Sequence, residues 1–367
     1  IPQHEVISLK RKHFASILAV AVMLTSFTMT GTIEGASRAE LAAIHVNKSG
    51  NFQYWNRDSA AKEKLVSYVK DVTNPKSSNF IPVEHRLAVF DMDGTLLGER
   101  TPSYTDGVFY ADRVLHDPDC KVSAEDKQFA RDYWDAISQR KPVPPEIDNN
   151  LYNKLYAGLA GMTPQSLDAY AQGFMKKPVI GLTNLTYGEA FYMPMVEVIS
   201  YLQSNDFTCY IVSASDRPLV RALTRDVIHI APNNIIGSDP QIVASHQGDT
   251  AGGSYQMTYD DTIQYGTLDR VNEKMNKVSS IVREIGIQPV LAFGNSSGDY
   301  SMFRYTLKDN PYKAEVFNVL CDDTQREYGR PERAERDKKT SDENCWNTIS
   351  MKNDWKTIYG ENVKKTK

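Results

Sequence analysis

The chain has 367 residues, of which 41% are hydrophobic and 24% charged, and its formal net charge is -4. That length holds one large α/β domain with an insertion, or two domains. The mildly acidic balance gives no electrostatic basis for binding nucleic acid, and small soluble partners are expected instead.

Lys10, Arg11 and Lys12 precede an uncharged apolar run from Phe14 to Met29, and small residues follow at Gly31, Gly35, Ala36, Ser37 and Ala39. This is the order of a secretory signal over residues 1–36, and it predicts export to the periplasm, the cell surface or the medium. The run is short for a membrane span once its Ser and Thr residues are discounted, so an N-terminal anchor is the alternative reading and no other membrane contact is expected. The chain starts at Ile1 rather than Met, as a processed or truncated chain would. Its four cysteines, Cys120, Cys209, Cys321 and Cys345, allow three pairings if exported. Cys209 sits in an apolar strand pattern and reads as a small buried thiol, and Cys321 with Cys345 is the first pair to test.

Leu65, Val66, Val69 and Val72 fall at helical spacing after Asp58 or Ser59 as a cap and before Asn74-Pro75 as a stop, which predicts a helix packed on the sheet. Leu87-Ala-Val-Phe90 is then a continuous apolar run that ends in Asp91-Met-Asp-Gly-Thr95. Such a run reads as a buried parallel strand ending in a tight turn, and in open α/β sheets ligands bind at that carboxyl edge. Asp91 and Asp93, two apart on a strand, repel each other unless a proton or cation lies between them. A Mg²⁺ ion would relieve that repulsion and bind a phosphate as well. One carboxylate could then attack phosphorus while the other moves a proton. A calcium loop is excluded because Thr95 is followed by Leu96 where a third oxygen ligand is needed.

From Gly98 to about Tyr187 strand signal is weak, and amphipathic stretches run over 124–139, 146–159 and 164–175, separated by breakers such as the proline cluster at 142–145. An insertion over 98–189, directly after the catalytic strand, predicts a helical cap above the site. Its rings, Tyr104, Tyr110, Tyr133, Trp134, Tyr152, Tyr156 and Tyr170, are core or the wall of a cation cage. Glu99 and Arg100, just past the turn, are placed to touch substrate or to form a solvated hinge.

A second apolar strand, Phe207 to Ser213, ends in Ser213-Ala-Ser215, where a hydroxyl and the following helix N-terminus can bind phosphate oxygens. Arg217 and Arg221 lie on that helix, Arg217 being the better phosphate candidate. Residues 241–245 and 255–259 around Gly252-Gly253 predict a hairpin. Lys274 and Lys277 lead a helix pattern, and Pro289 to Phe293 is a third buried strand closed by Gly294-Asn-Ser-Ser-Gly-Asp299. Beyond it, Glu315 to Cys321 is another strand, and Asp322 and Asp323 either face the site or cap the next helix. Trp346 and Trp355 are expected to anchor a terminal helix.

From Arg86 to about Met302 this order resembles the haloacid dehalogenase superfamily, in its phosphatase branch, which includes phosphoserine- and phosphorylcholine-phosphatase-like enzymes. The resemblance implies a Rossmann-like, doubly wound, mainly parallel sheet, with core segments 37–97 and 190–367 and the cap at 98–189. It implies that Asp91 is the nucleophile, Asp93 the general acid and then base, Ser213 the strand-end hydroxyl and Lys277 the neutralising cation. Gly94, Thr95 and Ala214 would contact the phosphate, and Asp91, Asp93, Asn295 and Asp299 would hold Mg²⁺. Asn295 stands where the family pattern is usually acidic. The expected activity is hydrolysis of a small phosphate ester, phosphocholine-like in one reading. Phosphate and metal binding without turnover, and phosphoryl transfer to an alcohol, remain open alternatives.

Overall fold

The computed structural model describes residues 35–99 and 102–366. Residues 1–34 of the expected secretory signal at 1–36 lie outside the described ones, as does Arg100. Among the described residues no helix is long and apolar enough to cross a membrane.

A seven-stranded sheet is built from β1 (Leu87–Phe90), β2 (Thr208–Asp216), β3 (Ile235–Ala244), β4 (Ile263–Arg270), β5 (Leu291–Gly294), β6 (Glu315–Leu320) and β7 (Asn347–Ser350). Across the sheet they lie in the order β4-β3-β2-β1-β5-β6-β7. Every neighbouring pair is parallel except β3 with β4. The chain builds outward from β1 on one side and then crosses to build on the other. That makes β1 and β5 the flanks of a switch point, where a crevice opens at the carboxyl ends of the strands.

All four residues of β1 are buried, as the unbroken apolar run requires of a strand covered on both faces. Its register is locked by three phenylalanines. Phe90 pairs with Phe293, which pairs with Phe317, and their rings stack at 4.5 and 5.2 Å between centroids. A slip of one residue would turn all three rings to the wrong face and aim Asp91 away from the crevice.

The lead-in helix runs over Ala60–Thr73, with the Ser59 side chain accepting the Lys62 N–H and Asn74 closing the end. Leu65, Tyr68, Val69 and Val72 face the core, and the Tyr68 hydroxyl donates to the Val290 carbonyl at 3.1 Å.

Within 98–189, the segment expected to form a cap, helices run over Ala124–Ser138, Pro145–Asp148, Leu151–Leu159 and Pro164–Phe174. A further cap helix, Thr105–His116, precedes them. The chain leaves and re-enters the core side by side: the Gly98 N–H donates to the Ala190 carbonyl at 2.9 Å and the Tyr192 N–H to the Leu96 carbonyl at 2.8 Å.

Several expectations are corrected. Residues 255–259 are not a strand; β3 pairs instead with β4. The intervening loop is closed by the Asp261 carboxylate, which accepts the N–H groups of His246 and Thr258 and the Tyr255 hydroxyl. Cys345 is an exposed free thiol, so no Cys321–Cys345 bridge is present. Asp322 accepts from Ser350 and Lys352, and Asp323 from the backbone of Gln325 and Arg326, so both are tied into turns rather than facing the crevice. Trp346 packs on Tyr300 and Phe303, and Trp355 on Trp55 and Tyr192, without a long terminal helix between them.

Glu197 is buried in the helix Met193–Ser204, where its carboxylate accepts the N–H groups of Gln53 at 2.6 Å and Tyr54 at 3.0 Å. Burial raises its pKa from 4.5 to about 7, against those two hydrogen bonds. A carboxyl with a raised folded-state pKa favours folding below its unfolded value, and that contribution is lost as pH climbs through about 7. Urea unfolding should therefore show the wild type losing roughly 3 kcal/mol of stability relative to Glu197→Gln from about pH 4.5 to about pH 8.

Candidate active site

Three strand ends converge on a cavity of about 480 Å³. Its floor is Asp91 and Asp93 after β1, Ser213, Ala214 and Ser215 at the end of β2, and Asn295, Ser296 and Asp299 after β5. Tyr104, Asp106 and Tyr152 wall it from the cap side, and Lys274 and Lys277 from the helix Met275–Ser280 and its leading residue.

The turn after β1 depends on Gly94. Its φ of +80° is one that L side chains rarely adopt, and a Cβ there would lie 1.8 Å from the Asn295 amide nitrogen. At the end of β2 the pairing with β3 shifts register between Val212 and Asp216. This irregularity frees Ser213 to Ser215 from the ladder and lets them line the cavity. The Ser213 hydroxyl oxygen accepts the Ser215 N–H at 3.0 Å, which leaves its proton for a ligand. Asn272 ties this strand end to the lysine helix, donating to the Ser213 carbonyl at 2.8 Å and accepting from Ser280 at 2.7 Å.

Lys277 is 1% exposed, and its ammonium lies 2.6 Å from both Asp91 Oδ1 and Asp299 Oδ1. Burial alone would lower its pKa, but Asp299 and Asp91 outweigh that and raise it, so it stays charged. The other Asp299 oxygen accepts the N–H groups of Asn295 at 3.0 Å and Ser296 at 3.1 Å. Asp91 is pushed up by burial and then by the charge of Asp299, with Lys277 opposing. Among the described residues its Oδ2 has only the Thr95 hydroxyl, at 3.5 Å, and lies nearly unbound at the cavity.

Asp93 accepts the Ser215 hydroxyl at 2.6 Å and the Thr105 N–H at 3.4 Å. Burial, then Asp106, raise its pKa to about 7 against those two bonds. A carboxyl poised there can hold a proton at neutral pH and give it up, as a general acid must. The sequence does not mark Asp106, nor Ser215 as the partner of Asp93, because both roles rest on contacts between separate elements. Burial raises Asp106 to about 6 as well.

Other expected residues are placed elsewhere. Glu99 is 1% exposed, does not line the cavity, and is held by Tyr104, Asn295 and Arg333. Arg217 turns away to Glu284 at 2.7 Å and Asp239 at 2.9 Å, so it does not face the cavity. Among the cap rings only Tyr104 and Tyr152 line the cavity. Tyr110 packs on Phe129, and Tyr170 donates to Asp112.

The fold family implies a divalent cation. Among the described residues no group of three His, Cys, Asp or Glu side chains is gathered in metal-holding geometry. The donor set is nevertheless consistent with a hard ion: it is all oxygen, combining a nearly unbound Asp91 carboxylate oxygen, the Asn295 amide and the Asp93 segment. Among the described residues Lys277 is the cation paired with the buried Asp91 and Asp299, and with Asp93 beside them carboxyl groups outnumber it where a cation would bind. The residues fit Mg²⁺.

A mainly parallel sheet with an Asp-x-Asp turn, a strand-end serine and a buried lysine at one crevice defines a hydrolase of the Rossmann-like class. The family model of haloacid dehalogenase-like hydrolases matches residues 88–304, and the chain belongs to that family. Two Arabidopsis thaliana proteins named as UDP-arabinose 4-epimerases, numbers 4 and 3, are 29% and 28% identical over 231 residues. Those matches cover 62% of this chain and 49% and 52% of theirs, so the chain spans about half the length of the curated relatives it matches. A conserved protein of unknown function from Anaerococcus prevotii shares the fold at a TM-score of 0.50 and 13% identity, over 85% of this chain and 98% of that one. Cytosolic 5′-nucleotidase IIIB bound to cytidine gives a TM-score of 0.44 at 13% identity, over 80% and 86%.

Removing one partner of a buried ion cluster leaves the rest uncompensated, at a cost of roughly 3–5 kcal/mol. Lys277→Met should lose stability on that scale in denaturant melts at neutral pH with chelator present. A loss below about 1 kcal/mol would mean that Asp91 and Asp299 do not depend on this lysine.

Proposed function

We propose that the chain is an exported, Mg²⁺-dependent phosphomonoesterase acting through an aspartyl-phosphate on Asp91. The observation that carries the reading is the asymmetry between two carboxylates two residues apart. Burial raises the pKa of both, but their contacts differ: Asp91 is paired with the Lys277 ammonium and keeps one oxygen nearly unbound, whereas Asp93 has no such cation among the described residues and accepts the Ser215 hydroxyl and the Thr105 N–H.

In the first half-reaction an Asp91 oxygen attacks phosphorus and the bond to the leaving oxygen breaks, while Asp93 gives that oxygen its proton. In the second, Asp93 takes a proton from water, the water oxygen attacks phosphorus, and the bond to Asp91 breaks to release phosphate. Lys277 offsets charge on Asp91 and the phosphoryl group, and the Ser213 hydroxyl and the backbone at Ala214 hold phosphoryl oxygens. Asp91, the Asp93 backbone carbonyl and the Asn295 amide would hold Mg²⁺, which when bound would supply electrostatic stabilisation of the transferring group.

On the cap side, Tyr104, Tyr152 and Asp106 support a small leaving group bearing a positive charge, of the phosphocholine type. Among the described residues no Lys or Arg forms an ion pair with Asp106. Export rests on the residue order at 10–39.

Metal-dependent phosphate release should be abolished by Asp91→Asn and by chelation. No metal-dependent release by the wild type across a broad ester panel would end the enzymatic reading. Within such a panel, Asp106→Asn should lower kcat/KM for phosphocholine by roughly tenfold more than for glycerol phosphate, since one charge contact is worth about 1–2 kcal/mol and any change in Asp93 affects both esters alike. Equal losses on both esters would separate Asp106 from substrate choice.

A further inference from the structure

Asn295 is a neutral amide at the end of β5, beside the Asp91 that follows β1. An amide can offer either end to the cavity, and only its oxygen can bind a cation. Its nitrogen is committed: Nδ2 donates to Glu99 Oε2 at 3.2 Å. Glu99 is itself fixed from two other directions, accepting the Tyr104 hydroxyl at 3.1 Å and Arg333 Nη1 at 2.5 Å. Arg333, on the helix Pro331–Glu343, also donates Nη2 to the Asn295 carbonyl at 3.3 Å and Nε to Asp337 at 3.3 Å. The pair is packed against the catalytic turn, since a Cβ on Gly94 would meet the Asn295 amide at 1.8 Å and the Glu99 carboxylate at 3.1 Å.

We propose that Glu99 is a positioning residue that holds the Asn295 amide nitrogen on its own carboxylate and so leaves the amide oxygen for the cavity, so that a neutral side chain serves as a cation ligand. An ionised carboxylate accepts hydrogen bonds only, so it admits just one orientation of the amide. Arg333 balances the charge that this arrangement buries and connects the helix Pro331–Glu343 to the loop after β5. The inference rests on the metal-dependent reading above.

The test is Mg²⁺ binding to the full chain without substrate, measured by titration calorimetry, with thermal melts to show that each variant is folded. Glu99→Ala frees the amide and should weaken Mg²⁺ binding about tenfold, the size of one charge-assisted hydrogen bond. The exchange E99Q/N295D should restore binding to within about threefold of wild type. A carboxylate at position 295 has two equivalent oxygens and needs no orienting acceptor, while a carboxamide at position 99 can donate to it. Unchanged binding by Glu99→Ala would overturn the proposal, as would a double variant as weak as Glu99→Ala, because Glu99 would then act other than through residue 295. No Mg²⁺ binding by the wild type would overturn the metal-dependent reading together with it.

Discussion

The architecture of the site depends on one buried cation shared between two strands. Lys277 reaches 2.6 Å from Asp91 after β1 and from Asp299 after β5. Burying three ionised groups is unfavourable unless they are held in one geometry with their remaining valences met. Here Asp299 meets its own through two backbone N–H groups, and the helix bearing Lys277 is held by Asn272 and Ser280 against the end of β2. The lysine therefore fixes the distance between Asp91 and the β5 loop before any ligand arrives. Such preorganisation lets the site stabilise charge that develops during reaction without rearranging.

A second layer sets which carboxylate does what. Asp91 and Asp93 are chemically identical and two residues apart, so the environment alone distinguishes them. A cation contacts one, and a serine hydroxyl and the neighbouring Asp106 act on the other. The stacked phenylalanines at 90, 293 and 317 set the register that sends both side chains to the same edge.

Much of this is legible in the sequence because the strands are continuous apolar runs that stop at polar residues, and the stops are the site. Ends of that kind identify Asp91, Ser213, Asn295 and Asp299 without any knowledge of tertiary contacts. Helix Thr105–His116 has no such signature, because nearly every residue from Thr105 to Val114 is buried, which erases the two-sided pattern by which surface helices are recognised. Tyr104 also gives it no side-chain cap. Ser215 and Arg333 act through partners 122 and 234 positions away, which no local spacing encodes, and Asp106 acts on Asp93 from the cap. Glu99 illustrates the opposite error: its place next to the catalytic turn suggests substrate contact, and burial behind Asn295 gives it different partners.

The adjacent exit and entry points of the inserted segment bear on how such a protein can change over generations. Gly98 bonds to Ala190 and Tyr192 to Leu96, so the core meets the insertion as it would meet a tight turn, however long the intervening chain. The entropy of closing a loop rises only with the logarithm of its length, so lengthening, shortening or exchanging this segment weighs little on the sheet beneath. Mutation can reshape the inserted segment while the residues at the strand ends stay under separate constraint. The ladder at 96–98 and 190–192 is in that sense a natural graft junction.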